Sequence, residues 1–226
     1  MEDRYLKFLV AVLITAMIMA TAALVSQYVN QSQITAMSNG LKQVQSGIQS
    51  LQLATLLGDS NSSYSCAILS SGLSSLSSQL SVLGGEAQAS DVENKSGPQY
   101  IQLVSNLEYT RIEYWLVAQK ISSQCGGGLT TVLMFYSPVN CGSCVVEGDE
   151  LGYLSSLYGN MSYVGVDGSF NMSVVDTLNH VYNLTASDYP AVVINGKYVV
   201  KGYRTTQQLK SYLCRYTNAS NFCGAA

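Results

Sequence analysis

A Cys-X-X-Cys motif between a buried strand and an amphipathic helix is the feature that most constrains the fold of this chain. The run Thr131–Tyr136 (TVLMFY) has no charge, and its length and composition predict a strand that is buried on both faces. After a short turn, Cys141-Gly-Ser-Cys144 begins an apolar-patterned segment that predicts a helix as far as about Tyr158. The first cysteine therefore precedes the helix, and the second lies in its first turn.

The elements that follow the motif complete an α/β pattern. An Asn-Gly pair at 195–196 between two short apolar runs is a strong signal for a β-hairpin. Thr205 or Thr206 is suited to cap the last helix. The predicted elements are a strand at Tyr163–Val166, a helix at Asn171–Tyr182, strands at Ala191–Ile194 and Lys197–Val200, and a helix at Thr205–Tyr216. The order from the first strand onward is therefore β-α-β-α-β-β-α.

This order, with Cys-X-X-Cys at the first strand-to-helix junction and an X-Pro step at Pro190, resembles the thioredoxin-like superfamily over residues 129–216. The resemblance implies that Pro190 follows a cis peptide bond and packs beside the sulfurs of Cys141 and Cys144. Asn140 replaces the tryptophan that the family usually has before the first cysteine, and the first strand lacks the carboxylate of thioredoxins proper. The resemblance is therefore closer to extracytoplasmic disulfide oxidases or isomerases.

Elementary chemistry assigns different roles to the two cysteines. Free N–H groups and the dipole at a helix N-terminus stabilise a thiolate, so we expect Cys141 to be the attacking nucleophile. Cys144, one turn deeper, is placed to resolve the mixed disulfide. We expect no cofactor beyond this redox-active disulfide. The acidic residues of the helix, Glu147, Asp149 and Glu150, are predicted to face solvent.

Two other interpretations of the cysteine pair stay open. One is a structural disulfide without redox function. The other is half of a zinc or iron–sulfur site, which needs two more ligands. The chain has one histidine, His180, and its remaining cysteines are not spaced as a second metal knuckle, so we predict no metal.

An uncharged apolar run at the N-terminus predicts export of the rest of the chain. Phe8–Val25 has 18 residues without a charge, which as a helix spans roughly 27 Å. Arg4 and Lys7 precede it, so we expect a single-pass anchor in the cell membrane with a cytoplasmic N-terminus and an extracytoplasmic C-terminal domain. A cleaved signal peptide with Ala20-Thr21-Ala22 as its cleavage site is the alternative.

The segment between the membrane and the motif has the periodicity of a helical stalk. Apolar residues from Ile34 to Leu51 step by three and four, which is a heptad seam, and two further amphipathic segments run from Cys66 to Leu83 and from Tyr100 to Ile121. We predict an up-down-up, coiled-coil-like bundle in which Gly84-Gly85 ends the second helix. Homodimerisation through the first seam is left open. The predicted divisions are 1–27 for the cytoplasmic end and membrane helix, 28–125 for the stalk, 126–128 for a glycine linker and 129–226 for the thioredoxin-like domain.

Cysteines and glycosylation motifs agree with an oxidising, extracytoplasmic location. The chain has six cysteines, and the bundle brings Cys66 and Cys125 to the same end, while Cys214 and Cys223 are placed to pair locally. Asn-X-Ser/Thr occurs seven times. Asn30 lies close to the predicted membrane, and the other acceptors are Asn61, Asn94, Asn160, Asn171, Asn183 and Asn218.

Two functions of different class fit the sequence. The first is a membrane-tethered thiol–disulfide oxidoreductase that acts on exported cysteine-containing proteins and is recycled by a membrane redox partner. The second is a glycosylated cell-surface structural or adhesion protein with a redox-silent thioredoxin-like cap. A net charge of −3 with only 11 lysines and arginines excludes the basic patch that nucleic-acid binding needs.

Overall fold

The computed structural model describes residues 63–90, 97–126, 128–217 and 222–223. The predicted membrane segment, the first stalk helix and the acceptors Asn61, Asn94 and Asn218 lie outside these residues. The helices are α1 (Ser63–Ser90), α2 (Pro98–Gln124), α3 (Gly142–Leu157), α4 (Ser173–Val181) and α5 (Thr206–Tyr216). The strands are β1 (Thr130–Tyr136), β2 (Met161–Asp167), β3 (Ala191–Ile194) and β4 (Tyr198–Lys201), and a 3-10 turn spans Ala186–Asp188.

The four strands form one mixed sheet in the order β2-β1-β3-β4. β1 is parallel to β2 and antiparallel to β3, and β3 and β4 form the hairpin that the Asn-Gly pair predicts. The order β-α-β-α-β-β-α is confirmed from β1 onward. This mixed sheet with its helices fits a thioredoxin-like fold.

Both faces of the sheet are covered, which explains why β1 is apolar at every inner position. Val132 and Met134 pack on one face against α3 and α5. Leu133 and Phe135 point the other way and pack against α2 and α4. Because successive side chains of a strand alternate between faces, a central strand between two helical layers needs a continuous apolar run.

α2 packs directly on the sheet as well as on α1. Its side chains Ile112 and Trp115 are buried in the same cluster as Leu133 and Phe135. On its other side, Val117 and Ile121 meet Leu69 and Leu76 of α1 in a separate cluster. The third amphipathic segment therefore contributes to the core of the sheet, a contact that its periodicity alone did not predict.

A disulfide and continuous helical packing join α1 to α2. Cys66, near the start of α1, is bonded to Cys125, which follows α2, so the two helices run antiparallel. The prediction that Gly84-Gly85 ends the second helix is wrong, because α1 continues to Ser90. Two glycines cost about 2 kcal/mol relative to alanine. The burial of Leu83 just before them and the good helix formers after them offset this cost.

The described residues include one helix that by length and composition could cross a membrane, Tyr64–Ser90. In the structure one side of this helix packs on α2, where Leu69 and Leu76 are buried. Core helices of soluble proteins meet the same length and apolarity criteria.

A buried polar network ties α2 to the carboxyl ends of β1 and β2. Arg111 donates to Glu108 Oε1 at 2.6 Å and to the Tyr136 hydroxyl at 2.9 Å, and the backbone N–H of Asp167 donates to Glu108 Oε2 at 3.1 Å. Glu108 is only 1% exposed, and burial raises the pKa of its carboxyl while the Arg111 guanidinium opposes that rise. The network therefore anchors the strand end from which the cysteine loop departs.

Candidate active site

The redox motif lies where β1 leads into α3. Tyr136 is the last residue of β1, and Cys141 is the N-cap residue of α3. Asn140, directly before it, has a left-handed backbone with φ 56°, a conformation that asparagine tolerates better than most residues. The loop thus turns sharply to place Cys141 at the start of the helix.

The two cysteines differ in exposure as their positions predict. Cys141 is half-buried, and Cys144 is only 4% exposed. They form a disulfide with their Cα atoms 5.2 Å apart, and the backbone N–H of Cys144 donates to the Cys141 carbonyl. The first turn of α3 has no acidic residue, so no side-chain charge offsets the positive end of its dipole beside Cys141.

The structure places Pro190 at the same end of the sheet as the cysteine loop. The Tyr189–Pro190 peptide bond is cis, and Pro190 is buried. Because Ala191 of β3 pairs with Phe135 of β1, the residue before Ala191 lies opposite the end of β1. Cys141, Cys144 and Tyr189 all pack in the apolar cluster on the face of the sheet that α3 and α5 cover, and Tyr189 also contacts the cluster on the opposite face.

Polar contacts hold the proline step in place on both sides. The Tyr189 hydroxyl lies 2.9 Å from the Gly168 carbonyl and 2.9 Å from Asn179 Oδ1. A Cβ atom on Gly168 would collide with that hydroxyl, so this contact requires glycine. On the other side, the N–H of Gly202 donates to the Pro190 carbonyl at 2.8 Å.

The prediction that Glu147 faces solvent is wrong. Its side chain is 0% exposed, three residues after Cys144 on α3. The backbone N–H of Arg204 donates to Glu147 Oε2 at 3.1 Å, while Oε1 has no hydrogen-bond partner among the described residues. Burial raises the pKa of Glu147 to about 7, against the lowering effects of the Arg204 N–H and charge.

The other two acidic residues of α3 differ in their exposure to solvent. Asp149 is exposed, as predicted. Glu150 is half-buried and accepts a hydrogen bond from the Tyr203 hydroxyl at 3.2 Å. Helical spacing offered a signal for Glu147, since position i+3 lies on the same helix face as the buried Cys144, but nothing in the sequence pointed to Tyr203 or Arg204.

The remaining predicted residues lie away from this site. Cys214, in the last turn of α5, is bonded to Cys223, which follows that helix, and His180 is exposed on α4. Within the described ranges, no group of three His, Cys, Asp or Glu residues is arranged to hold a metal ion. Of the described glycosylation acceptors, Asn171 and Asn183 are exposed, whereas Asn160 is half-buried with its Oδ1 inside the protein.

Comparison with known proteins finds similarity to solved structures. No protein-family model matches the chain, and no curated protein matches it. Among the similar solved structures is thioredoxin O2 from Arabidopsis thaliana in its oxidised state. The match has 21% sequence identity and a TM-score of 0.34, and it covers 48% of this chain and 90% of that thioredoxin.

Proposed function

We propose that this chain is a membrane-tethered thiol–disulfide oxidoreductase that uses Cys141 and Cys144 as its redox pair. One observation supports this above the others: the pair lies at the start of α3, with one sulfur half-buried and the other shielded, in a cluster that also includes the residue before the cis proline. A purely structural disulfide does not require an accessible cysteine at a helix N-terminus.

The exchange reaction follows from the positions of the two sulfurs. In the oxidising direction, a substrate thiolate attacks Cys141 Sγ, the Cys141–Cys144 bond breaks, and Cys144 leaves as a thiolate. A second substrate thiolate then attacks its own sulfur in the mixed disulfide. Cys141 leaves, the substrate gains a disulfide, and the pair gains two electrons and is left reduced.

The reduced pair needs a partner before it can act again. We propose that a membrane protein carrying its own disulfide accepts these two electrons by the same exchange chemistry. When the pair starts in the reduced form, the Cys141 thiolate attacks a substrate disulfide and releases one substrate thiolate. A different substrate thiolate then attacks the substrate sulfur of the mixed disulfide, which forms a new substrate disulfide and releases Cys141 with no net change in oxidation state. Oxidase and isomerase activity would therefore share one site.

Exposed valines surround the motif and suit a protein substrate. Val139 precedes Cys141, and Val145 and Val146 follow Cys144, with exposed fractions of 66%, 67% and 48%. An apolar rim beside a reactive sulfur favours unfolded or partly folded chains, whose apolar side chains are still accessible. We propose exported cysteine-containing proteins as the substrate class.

The proposed location rests on the N-terminal sequence. Phe8–Val25 would anchor the chain in the cell membrane with its N-terminus in the cytoplasm, and the redox domain outside. Exposed Asn171 and Asn183 are the acceptors that we propose to bear glycans. They precede and follow α4, which covers the sheet face opposite α3, so glycans there would leave the redox motif open.

Trapping of a mixed disulfide tests the proposed function. With Cys144→Ser, the full-length protein should attack a disulfide-containing substrate through Cys141 but cannot resolve the product. A covalent complex is therefore expected on a non-reducing gel, and dithiothreitol should separate it by reducing the mixed disulfide. The matched variant Cys141→Ser should form none. If neither variant forms a complex, or if both do so equally, the redox-silent cap becomes the better explanation.

A further inference from the structure

Two acidic residues of α3 accept hydrogen bonds from the loop that follows β4. Arg204 N–H donates to Glu147 Oε2 at 3.1 Å, and the Tyr203 hydroxyl donates to Glu150 Oε1 at 3.2 Å. Glu147 and Glu150 are one helical turn apart, and Tyr203 and Arg204 are adjacent. The redox helix therefore contacts consecutive loop residues through two separate carboxylates.

The same loop also holds the cis proline. Gly202 donates its N–H to the carbonyl of Pro190 at 2.8 Å and to that of Asp188 at 3.1 Å. Its φ of 75° lies in the left-handed region that favours glycine, so the chain can turn from the proline step toward α3 within two residues. Residues 202–204 thus bridge the proline step and the redox helix.

The burial of Glu147 has a cost that packing does not explain. A carboxylate without exposure is strongly disfavoured unless it is fully hydrogen-bonded, and Oε1 has no partner in the described part of the chain. An apolar side chain of similar size would fill the same space at a lower cost. Buried polar groups that break a local rule in this way are typical of functional sites.

We propose that Glu147 is a positioning residue for the redox pair: its carboxyl group joins the helix that carries Cys141 and Cys144 to the loop that holds Pro190. This inference rests on the proposed function, since it concerns how a substrate disulfide is aligned at that site. The Glu147 carboxyl group that contacts Arg204 is buried and shielded from water, whereas the contact between Glu150 and Tyr203 is nearer the surface.

The hydrogen bond between Arg204 and Glu147 depends on pH because the carboxyl group of Glu147 titrates. Burial raises the pKa of Glu147 to about 7, and the charged or titratable groups that face it are Arg204 and Tyr203 from the loop, Tyr163 from β2 and Glu150 from α3 itself. The raised pKa means that the folded protein favours the neutral acid, whereas an opened loop exposes Glu147 to water and favours the carboxylate. The loop is therefore held more tightly below pH 7 than above it.

Two substitutions separate the hydrogen bond from the charge. Glu147→Leu removes the acceptor but keeps much of the volume, and Glu147→Gln keeps an acceptor that does not titrate. Asp149→Asn is the matched control, because it removes one negative charge from an exposed position on the same helix. All are made in the full-length protein in detergent.

The first readout compares two reactions of Cys141 in the reduced protein. A peptide disulfide needs alignment at the proline step, whereas iodoacetamide needs only the thiolate. We expect Glu147→Leu to slow the peptide reaction about tenfold, a size typical of a small misalignment, and to leave alkylation within about twofold. The ratio of the peptide rate to the alkylation rate should fall as the pH rises through 7 in the wild type and in Asp149→Asn, and stay flat in Glu147→Gln.

The second readout does not depend on activity. Hydrogen exchange of the Arg204 and Gly202 amides should be about tenfold faster in Glu147→Leu and unchanged in Asp149→Asn. If Glu147→Leu does not fold, the pH profile of Glu147→Gln decides instead. The proposal is overturned if the rate ratio and amide exchange match the wild type in Glu147→Leu, or if Glu147→Gln shows the same fall in the rate ratio near pH 7. A wild type that alkylates but never reacts with the peptide refutes the proposed function, and amide exchange still tests the hydrogen bond between Arg204 and Glu147.

Discussion

At the scale of single residues, Glu147 makes the stability of the oxidised protein depend on pH. Burial raises the pKa of its carboxyl from an ordinary value of 4.5 to about 7 in the folded state. The folded state therefore holds this proton more tightly than the unfolded state does. The contribution of Glu147 to stability is therefore largest below pH 4.5, falls as the pH rises through this window and levels off above pH 7, with a total loss of about 3 kcal/mol.

Glu147→Gln should remove this dependence. Between pH 5 and pH 8 the wild type is expected to lose about 2 to 3 kcal/mol of unfolding free energy more than the variant does. Denaturant unfolding of both proteins at the two pH values measures the difference. Parallel stability curves across this range would show that Glu147 ionises in the folded protein as it does in water.

The sequence did not reveal the burial of this residue because the cause is remote. Arg204, which supplies the hydrogen bond, is 57 positions further along the chain. The resemblance to thioredoxins directed attention to the first strand, which has no carboxylate, and not to the helix. By contrast, the position of Cys141 at the start of a helix and the cis bond before Pro190 were predictable, because each depends on a local sequence pattern.

At the scale of elements, the network around Arg111 couples α2 to the sheet. Arg111→Met would leave the Glu108 carboxylate buried without its cation, and breaking such a pair from one side typically costs 3–5 kcal/mol. Because the Arg111 side chain is 23% exposed, we expect a loss of about 3 kcal/mol in unfolding free energy. Denaturant unfolding of the full-length variant measures it.

The double variant Glu108→Gln with Arg111→Met is the control for this prediction. It removes both charges, so it should recover part of the stability that the single change loses. If the single variant is as stable as the wild type, or if the two changes are simply additive, the pair does not hold α2 against the strand ends in the way that its geometry indicates.

Elements with a clean hydrophobic period were predictable to within a few residues. β1 was expected at Thr131–Tyr136 and occupies Thr130–Tyr136, because a doubly covered strand leaves no alternative to an apolar run. The end of α1 was predicted wrongly at Gly84-Gly85, because local propensity was outweighed by tertiary packing. The packing of α2 against the sheet was not predicted for a related reason. Periodicity shows that one face of a helix is buried, but not which element packs against that face.

At the scale of the whole molecule, we expect the three disulfides to have different roles. Cys66–Cys125 joins residues 59 positions apart in the sequence, and Cys214–Cys223 joins α5 to a residue nine positions further along the chain. Both restrict the unfolded chain and so stabilise the fold. Cys141–Cys144, with a separation of three, restricts it least, so its main contribution in this account is chemical.

The most direct test of that division is to equilibrate the native full-length protein in glutathione buffers of graded potential and map its free thiols by mass spectrometry. We expect Cys141 and Cys144 to appear as thiols together and reversibly, in buffers where the other four cysteines stay paired. Reduction of Cys66–Cys125 or Cys214–Cys223 before this pair, or reduction of Cys141–Cys144 only on unfolding, would show that Cys141–Cys144 is not the redox site.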